Sequence, residues 1–186
     1  MISGFANGEE LMTAEELLRA DVPHKSTELV RGRLVVREPP STQHGRVQSK
    51  LNFLVGASVY AQKLGALFGQ DTGFQIASDP DTVRAPDLAF VRQERLALIA
   101  PRGDATLAPD LVAEILSPDD RPGEVLAKMG EWLDAGVEIV WLIDPYRRTV
   151  QVYRADGSVD AVAPDGALEG GTVLPGLRVA LAELFE

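Results

Sequence analysis

The sequence predicts a mixed α/β (α+β) fold, and three observations carry that reading. Residues 42–64 place Val47, Leu51, Leu54, Val55 and Ser58 on one face at helical spacing, the pattern of a long amphipathic helix. Residues 110–116 and 137–143 are too apolar for exposed edges and read as strands inside a sheet. The element order is helix, hairpin, helix, several strands, helix and strands again, which is not a repeated βαβ series. A length of 186 residues suits one domain spanning 1–186, with 1–11 expected as a flexible N-terminal segment.

Taken in order, residues 13–20 open with Thr13 and carry Glu16 three positions later, a capping box that starts a short helix. Residues 27–37 are two short apolar–polar runs about Arg31-Gly32, a hairpin signal. After the long helix, 67–77 reads as one irregular strand, followed by strands at 87–92 and 110–116. A second helix occupies 122–135, with Pro122 at its start and Gly136 just past its end. Residues 137–143 form a near-continuous apolar strand, and 149–154 alternate as a one-sided or edge strand. The tail, 172–186, carries a Pro175-Gly176 turn and a last short helix.

Composition removes whole classes of function. With 45% hydrophobic and 25% charged residues this is an ordinary globular chain, and no apolar run is long enough for a transmembrane helix. The acidic start lacks the basic-then-apolar order of a signal peptide, so a cytoplasmic location is expected. Zero cysteines exclude disulfides, thiolate metal sites and a cysteine nucleophile, and two histidines exclude a three-histidine zinc site. Phosphate-binding glycine loops of the Walker or dinucleotide type are absent. A net charge of −10 opposes non-specific nucleic-acid binding over the whole surface, although a local basic patch or a bound divalent metal reverses the sign inside one cleft.

The informative residues are carboxylates in strands. Alternation puts Val112, Glu114 and Leu116 on one strand face, so Glu114 sits between apolar neighbours. An unpaired buried carboxylate costs several kcal/mol, which calls for a partner: an arginine such as Arg84 or Arg92, or a metal. Asp87 follows Pro86 at a strand start and by itself is a turn signal. Two carboxylates from adjacent strands can share a hard divalent cation. Lys128 lies at the flank of the apolar stripe on the second helix, placed to reach a cleft. Its competing partners are Glu124 and Glu131, and a surface pair of that kind is worth only about 0.3–0.5 kcal/mol, so Lys128→Ala should barely alter stability. His44 falls in the first turn of the long helix on its inward face, as a core, capping or cleft-rim residue. Glu28, on the hairpin, reads by itself as an exposed strand carboxylate.

These segments together resemble the Uma2-like restriction endonucleases within the PD-(D/E)XK nuclease superfamily. The resemblance rests on residues 27–35 (TELVRGRLV), His44-Gly45, 84–91 (RAPDLAFV), 109–118 (PDLVAEILSP), Lys128 and 136–145 (GVEIVWLIDP), and spans about 12 to 185. It implies a restriction-endonuclease-like central mixed β-sheet flanked by α-helices. It also implies Asp87 and Glu114 as metal ligands with the Ile115 carbonyl as a third, Glu28 as a further acidic group, and His44 in support. The superfamily pattern places lysine two residues after the glutamate. Here that position is Leu116, and the lysine looks as though it has moved to the following helix as Lys128.

The expected function is therefore a Mg²⁺-dependent endonuclease, with Mn²⁺ as a substitute, hydrolysing phosphodiester bonds of nucleic acid, DNA before RNA. Arg84, Arg46 and Lys50 are secondary candidates for phosphate contact. No separate recognition domain is visible, so specificity falls to loops, a partner or a second subunit, and a homodimer is among the expected assemblies. Two other classes compete. One is a nuclease fold kept as an inactive binding or assembly module. The other is a metal-free hydrolase using Asp87 and Glu114 as an acid/base pair, for which a 6% aromatic content gives no sugar-stacking signal.

Overall fold

The computed structural model describes residues 11–20, 22 and 26–186; the flexible segment expected at 1–11 lies, apart from Leu11, outside them. Short α1 (Ala14–Leu17) begins with the expected capping box between Thr13 and Glu16. The hairpin β1 (Ser26–Val30) and β2 (Arg33–Arg37) follows, turning at Arg31 and Gly32, both with positive φ. The long helix is α2 (Thr42–Gln62), capped by the Ser41 hydroxyl on the His44 N–H and ended by Lys63 in the left-handed region.

The run 67–77 is not one strand. It divides into β3 (Gly65–Gly69) and β4 (Phe74–Ala77), which belong to different sheets. The break falls where Asp71 takes φ 69° and Gly73 passes so close to Asp104 that a Cβ there would lie 2.1 Å from its carboxylate. The three-residue β5 (Thr82–Arg84) was not expected, nor was the 3-10 turn Gln93–Leu98 after β6 (Leu88–Arg92). Then come β7 (Leu111–Ile115), α3 (Pro122–Asp134), β8 (Ile139–Asp144), β9 (Thr149–Arg154), β10 (Val159–Ala161), β11 (Ala167–Gly170), β12 (Leu174–Ala180) and α4 (Leu181–Phe185).

A six-stranded mixed sheet in the order β10-β9-β8-β7-β6-β3 forms the centre. Its only parallel pair is β7 with β8, joined by α3 as a crossover, as a parallel pair requires. The faces of this sheet carry different cores. Against one lie Val47, Leu51, Val55 and Val59 of α2, which pack on Phe90, Leu111, Ala113 and Ile143 and are closed over by β11, β12 and α4. Against the other lie Met129 and Trp132 of α3, on Val91, Val112 and Val140. Strand β8 is buried along its whole length, which is why its sequence shows no alternation.

A smaller antiparallel sheet, β2-β1-β5-β4, packs beside the first. Residues 85–87 carry the chain from the end of β5 to the start of β6, so Arg84, the last residue of one strand, and Asp87, the residue before the other, lie a single short crossing apart. That crossing is what brings the hairpin to the end of the central sheet where the carboxylates lie. Among the described residues no helix is long and apolar enough to cross a membrane.

Candidate active site

The register Leu88↔Ala113 of antiparallel β6 and β7 places Asp87 beside Glu114 at the sheet end. Each is 8% exposed, and both line one cleft of about 430 Å³ together with Glu28, His44, Ile115 and Lys128. All the residues singled out in the sequence as catalytic or metal-holding thus meet in one place.

Asp87 is fixed on two sides. Its Oδ2 accepts the Ile115 N–H at 2.7 Å, and its Oδ1 lies 3.2 Å from His44 Nε2. His44 is buried by the inward turn of α2. Burial opposes its charge, but hydrogen bonding to Asp87, that carboxylate's charge and the Ile115 carbonyl outweigh burial and raise its pKa.

Glu114 points to the α3 face, as strand alternation requires. Lys128 Nζ lies 2.9 Å from each of its oxygens, and Trp132 Nε1 donates to Oε1 at 2.8 Å. Burial, reinforced by the negative charges of Asp87 and Glu28, pushes Glu114 up to about 7 in spite of Lys128. Glu28 is as deeply buried yet behaves oppositely. Against the effect of burial, Lys128 at 2.9 Å, Arg84 at 2.8 Å and Arg37 at 3.5 Å bring its pKa down to about 2. The same two carboxylates raise the pKa of Lys128 despite its burial, so it stays an ammonium.

Several expectations are corrected here. Lys128 does not pair on the surface: its side chain is 13% exposed, Glu131 is taken by Arg84, and Glu124 by Arg121. A substitution there therefore cannot be neutral for stability. Glu28 is not an exposed strand carboxylate, since β1 is flanked by β2 and β5 and the carboxylate is met by Lys128 of α3. Arg84 is no phosphate contact; it is buried between Glu28 and Glu131, and it pairs with Glu28 instead of Glu114. Arg92 binds Asp110 and Glu138 elsewhere. Arg46 donates to the terminal carbonyls of Phe185 and Glu186, which removes it from the cleft. Lys50 is half-buried on α2 and does not line the cleft.

Two participants went unnoticed in the sequence. Trp132 belongs to the apolar stripe of α3 and carries no signal of its own beyond lying four residues after Lys128 on the same helix face. Arg37 ends the hairpin strand beside Glu28, and its side chain is 35% exposed.

The donor set is two carboxylates and a backbone carbonyl. Among the described residues there is no group of three or more histidine, aspartate or glutamate side chains that could hold a metal by themselves. A hard cation that keeps several waters and takes one or two carboxylates still suits an all-oxygen set of this kind.

A protein-family model described as "Uma2: Putative restriction endonuclease" matches residues 14–182. The chain belongs to the Uma2 family. Its fold is shared with the crystal structure of a "putative nuclease belonging to DUF820" from Anabaena variabilis, at a TM-score of 0.80 and 24% identity over 94% of this chain and 97% of that one. No curated protein matches the chain. Within this Uma2 chain the acidic groups stand at the end of the central sheet, beside the crossover helix α3.

The two abnormal glutamates give this Uma2 protein a distinctive response to pH. A raised carboxyl pKa contributes stability below the ordinary 4.5 that is lost as pH rises through about 7; a lowered one contributes above 4.5 and is lost as pH falls through about 2. Metal-free parent protein should therefore lose melting temperature relative to Glu114→Gln as pH rises from 5 to 8. Scanning calorimetry of both across that range checks it, and parallel curves would mean that Glu114 is not held in this environment.

Proposed function

We propose that this Uma2 protein is a Mg²⁺-dependent endonuclease that hydrolyses phosphodiester bonds in DNA. The observation that carries the reading is the meeting of Asp87, Glu114 and Lys128 in one cleft, from two paired strands and the helix that follows them. Family membership supports the nuclease class.

Asp87, Glu114 and the Ile115 carbonyl would hold the metal, with Mn²⁺ as a substitute. Mg²⁺ bound there would polarise a phosphoryl oxygen and acidify a bound water. The chain's own groups do the rest. His44 orients Asp87 by its contact with Oδ1. Lys128, kept protonated, serves as a donor and a positive charge, not as a base; it orients the attacking water and offsets charge that grows on the phosphate in the transition state. Glu28 stays ionised and holds Lys128 in place. Arg37, the more open cation of the cleft, is the phosphate contact that the overall charge of −10 requires.

The rival reading is an inactive module that keeps the fold and binds or assembles. The closed pairing of Glu28 with Arg84, Arg37 and Lys128 favours it, since the acids are largely satisfied without a ligand. Supercoiled plasmid incubated with and without Mg²⁺ or Mn²⁺, beside calorimetric titration of the same metals, separates the two. Nicked or linear product only with metal, and saturable metal binding, are expected. Neither cleavage nor binding at millimolar metal would leave the module.

A further inference from the structure

A second groove, of about 620 Å³, opens from the acidic cleft on the α3 side of the central sheet, a size suited to a small ligand. The two share Leu116, Ser117, Pro118, Asp120, Val125 and Leu142, so a chain that leaves the cleft across 116–118 enters the groove. Tyr146 stands at the junction. Its ring lines the groove, and its hydroxyl lies 2.6 Å from that of Ser41, which lines the cleft. The turn that carries the ring is held from two sides. Asp144 Oδ1 accepts the N–H groups of Tyr146 and Arg147 at 2.9 and 2.8 Å, and Gln43 of α2 donates to the Pro145 carbonyl at 3.2 Å. Tyr146 is nevertheless 47% exposed, and Leu126 on the α3 wall is exposed too. Apolar surface on a fixed frame is thus left open beside a site whose substrate is a polymer.

A polymer longer than the cleft has to lie across its rim, and charge decides in which form. The cations lining the two cavities are Arg37, Lys128 and Arg147, and Lys128 is spent on Glu28 and Glu114. Duplex DNA draws its affinity chiefly from phosphate contacts, which so few cations cannot supply. A single strand adds the stacking of its bases on aromatic rings, which needs no charge. Within a duplex those base faces are already covered. We propose that the groove seats an unpaired nucleotide next to the scissile phosphate, its base stacked on Tyr146 and its outer phosphate on Arg147, so that the protein selects single-stranded DNA over duplex. The Arg147 side chain is 82% exposed, and its pair with Asp144 at 3.2 Å is a surface contact that yields readily to a phosphate. Underwound plasmid still offers such unpaired stretches. The inference rests on the DNA reading above and deepens it by naming the form of the substrate. None of the residues assigned to the metal lines the groove.

The test is fluorescence anisotropy in EDTA, where nothing is cut, with a labelled single strand of about twelve nucleotides and the corresponding duplex. The parent should bind the single strand about ten-fold more tightly than the duplex. Tyr146→Ala should weaken single-strand binding about ten-fold and leave duplex binding as it was. Tyr146→Phe, which loses only the contact with Ser41, should bind as the parent does. Arg147→Ala should reduce the slope of log affinity against log salt by about 0.7. Should Tyr146→Ala not fold, Leu126→Glu at its exposed position puts a repelling charge into the groove and should cut single-strand affinity likewise. No binding, equal affinity of the parent for both forms, a single-strand affinity that these variants leave unchanged, or a loss shared equally with the duplex overturns the inference. If that parent still nicks plasmid with metal, the proposed function stands. Single strands bound through Tyr146 by a protein that cuts nothing with metal keep the groove and overturn the hydrolysis.

Discussion

Lys128→Met is expected to slow plasmid cleavage by a factor of roughly ten to a thousand while Mg²⁺ affinity stays the same or tightens. The ammonium lies against Glu114 and Glu28, so its removal withdraws a charge that repels an incoming cation and a donor that the transition state needs. Methionine preserves the length and the apolar stem. Stability must fall as well, by as much as about 3–5 kcal/mol, because taking one partner from a buried ion pair leaves the other uncompensated. The loss is softened by protonation of Glu114, whose pKa climbs further, and by Arg84 and Arg37, which still hold Glu28. The drop in melting temperature should therefore be larger at pH 8 than at pH 6. Cleavage rates and melting curves at both pH values check this. An unchanged rate in an active parent would restrict Lys128 to folding.

Asp87→Asn should separate function from folding in the opposite sense. The new amide oxygen can still accept the Ile115 N–H, so the strand end keeps its buried hydrogen bond and the melting temperature should move far less than in Lys128→Met. Metal binding should disappear from calorimetry, and cleavage should fall to roughly a thousandth or below, since the ligand charge is gone. The imidazole of His44, deprived of its anion, should titrate at lower pH by NMR. Retention of Mg²⁺ binding would remove Asp87 from the ligand set.

What the sequence disclosed and what it hid have physical causes. Asp87 and Glu114 were legible because strand alternation is local: a carboxylate between Val112 and Leu116 has to face a core, whichever strand lies beside it. Lys128 was legible as a helix-flank residue, but its partners were not. Spacing along one helix offers Glu124 and Glu131, whereas the folded chain offers Glu114 and Glu28 from strands 14 and 100 residues away in sequence. Glu28 was misread because a hairpin's exposure depends on what pairs and packs with it, and the pairing strand, Thr82–Arg84, is three residues inside a run rich in Pro and Asp. With β5 unseen, the burial of Arg84 and the crossing at 85–87 were unseen too. The single-strand reading of 67–77 failed for a related reason: one turn between two short strands of different sheets leaves no mark in apolar spacing.

Helix α3 has a consequence for how the protein fails. Lys128 and Trp132 sit one turn apart, and Glu131 between them holds the arginine that holds Glu28. This helix has thirteen residues, and of its apolar side chains only Met129 and Trp132 are buried, while Leu126 is 57% exposed. Detaching it costs far less than opening the central sheet, as partial openings generally do. One such local event would strip Glu114 of both its donors at once and leave it without a cation beside Asp87, while Arg84 and Arg37 still hold Glu28. The helix is thus a fuse: warming should disarm the cleft while the β-structure still stands, and the upper temperature of its chemistry is governed by the docking of one short helix.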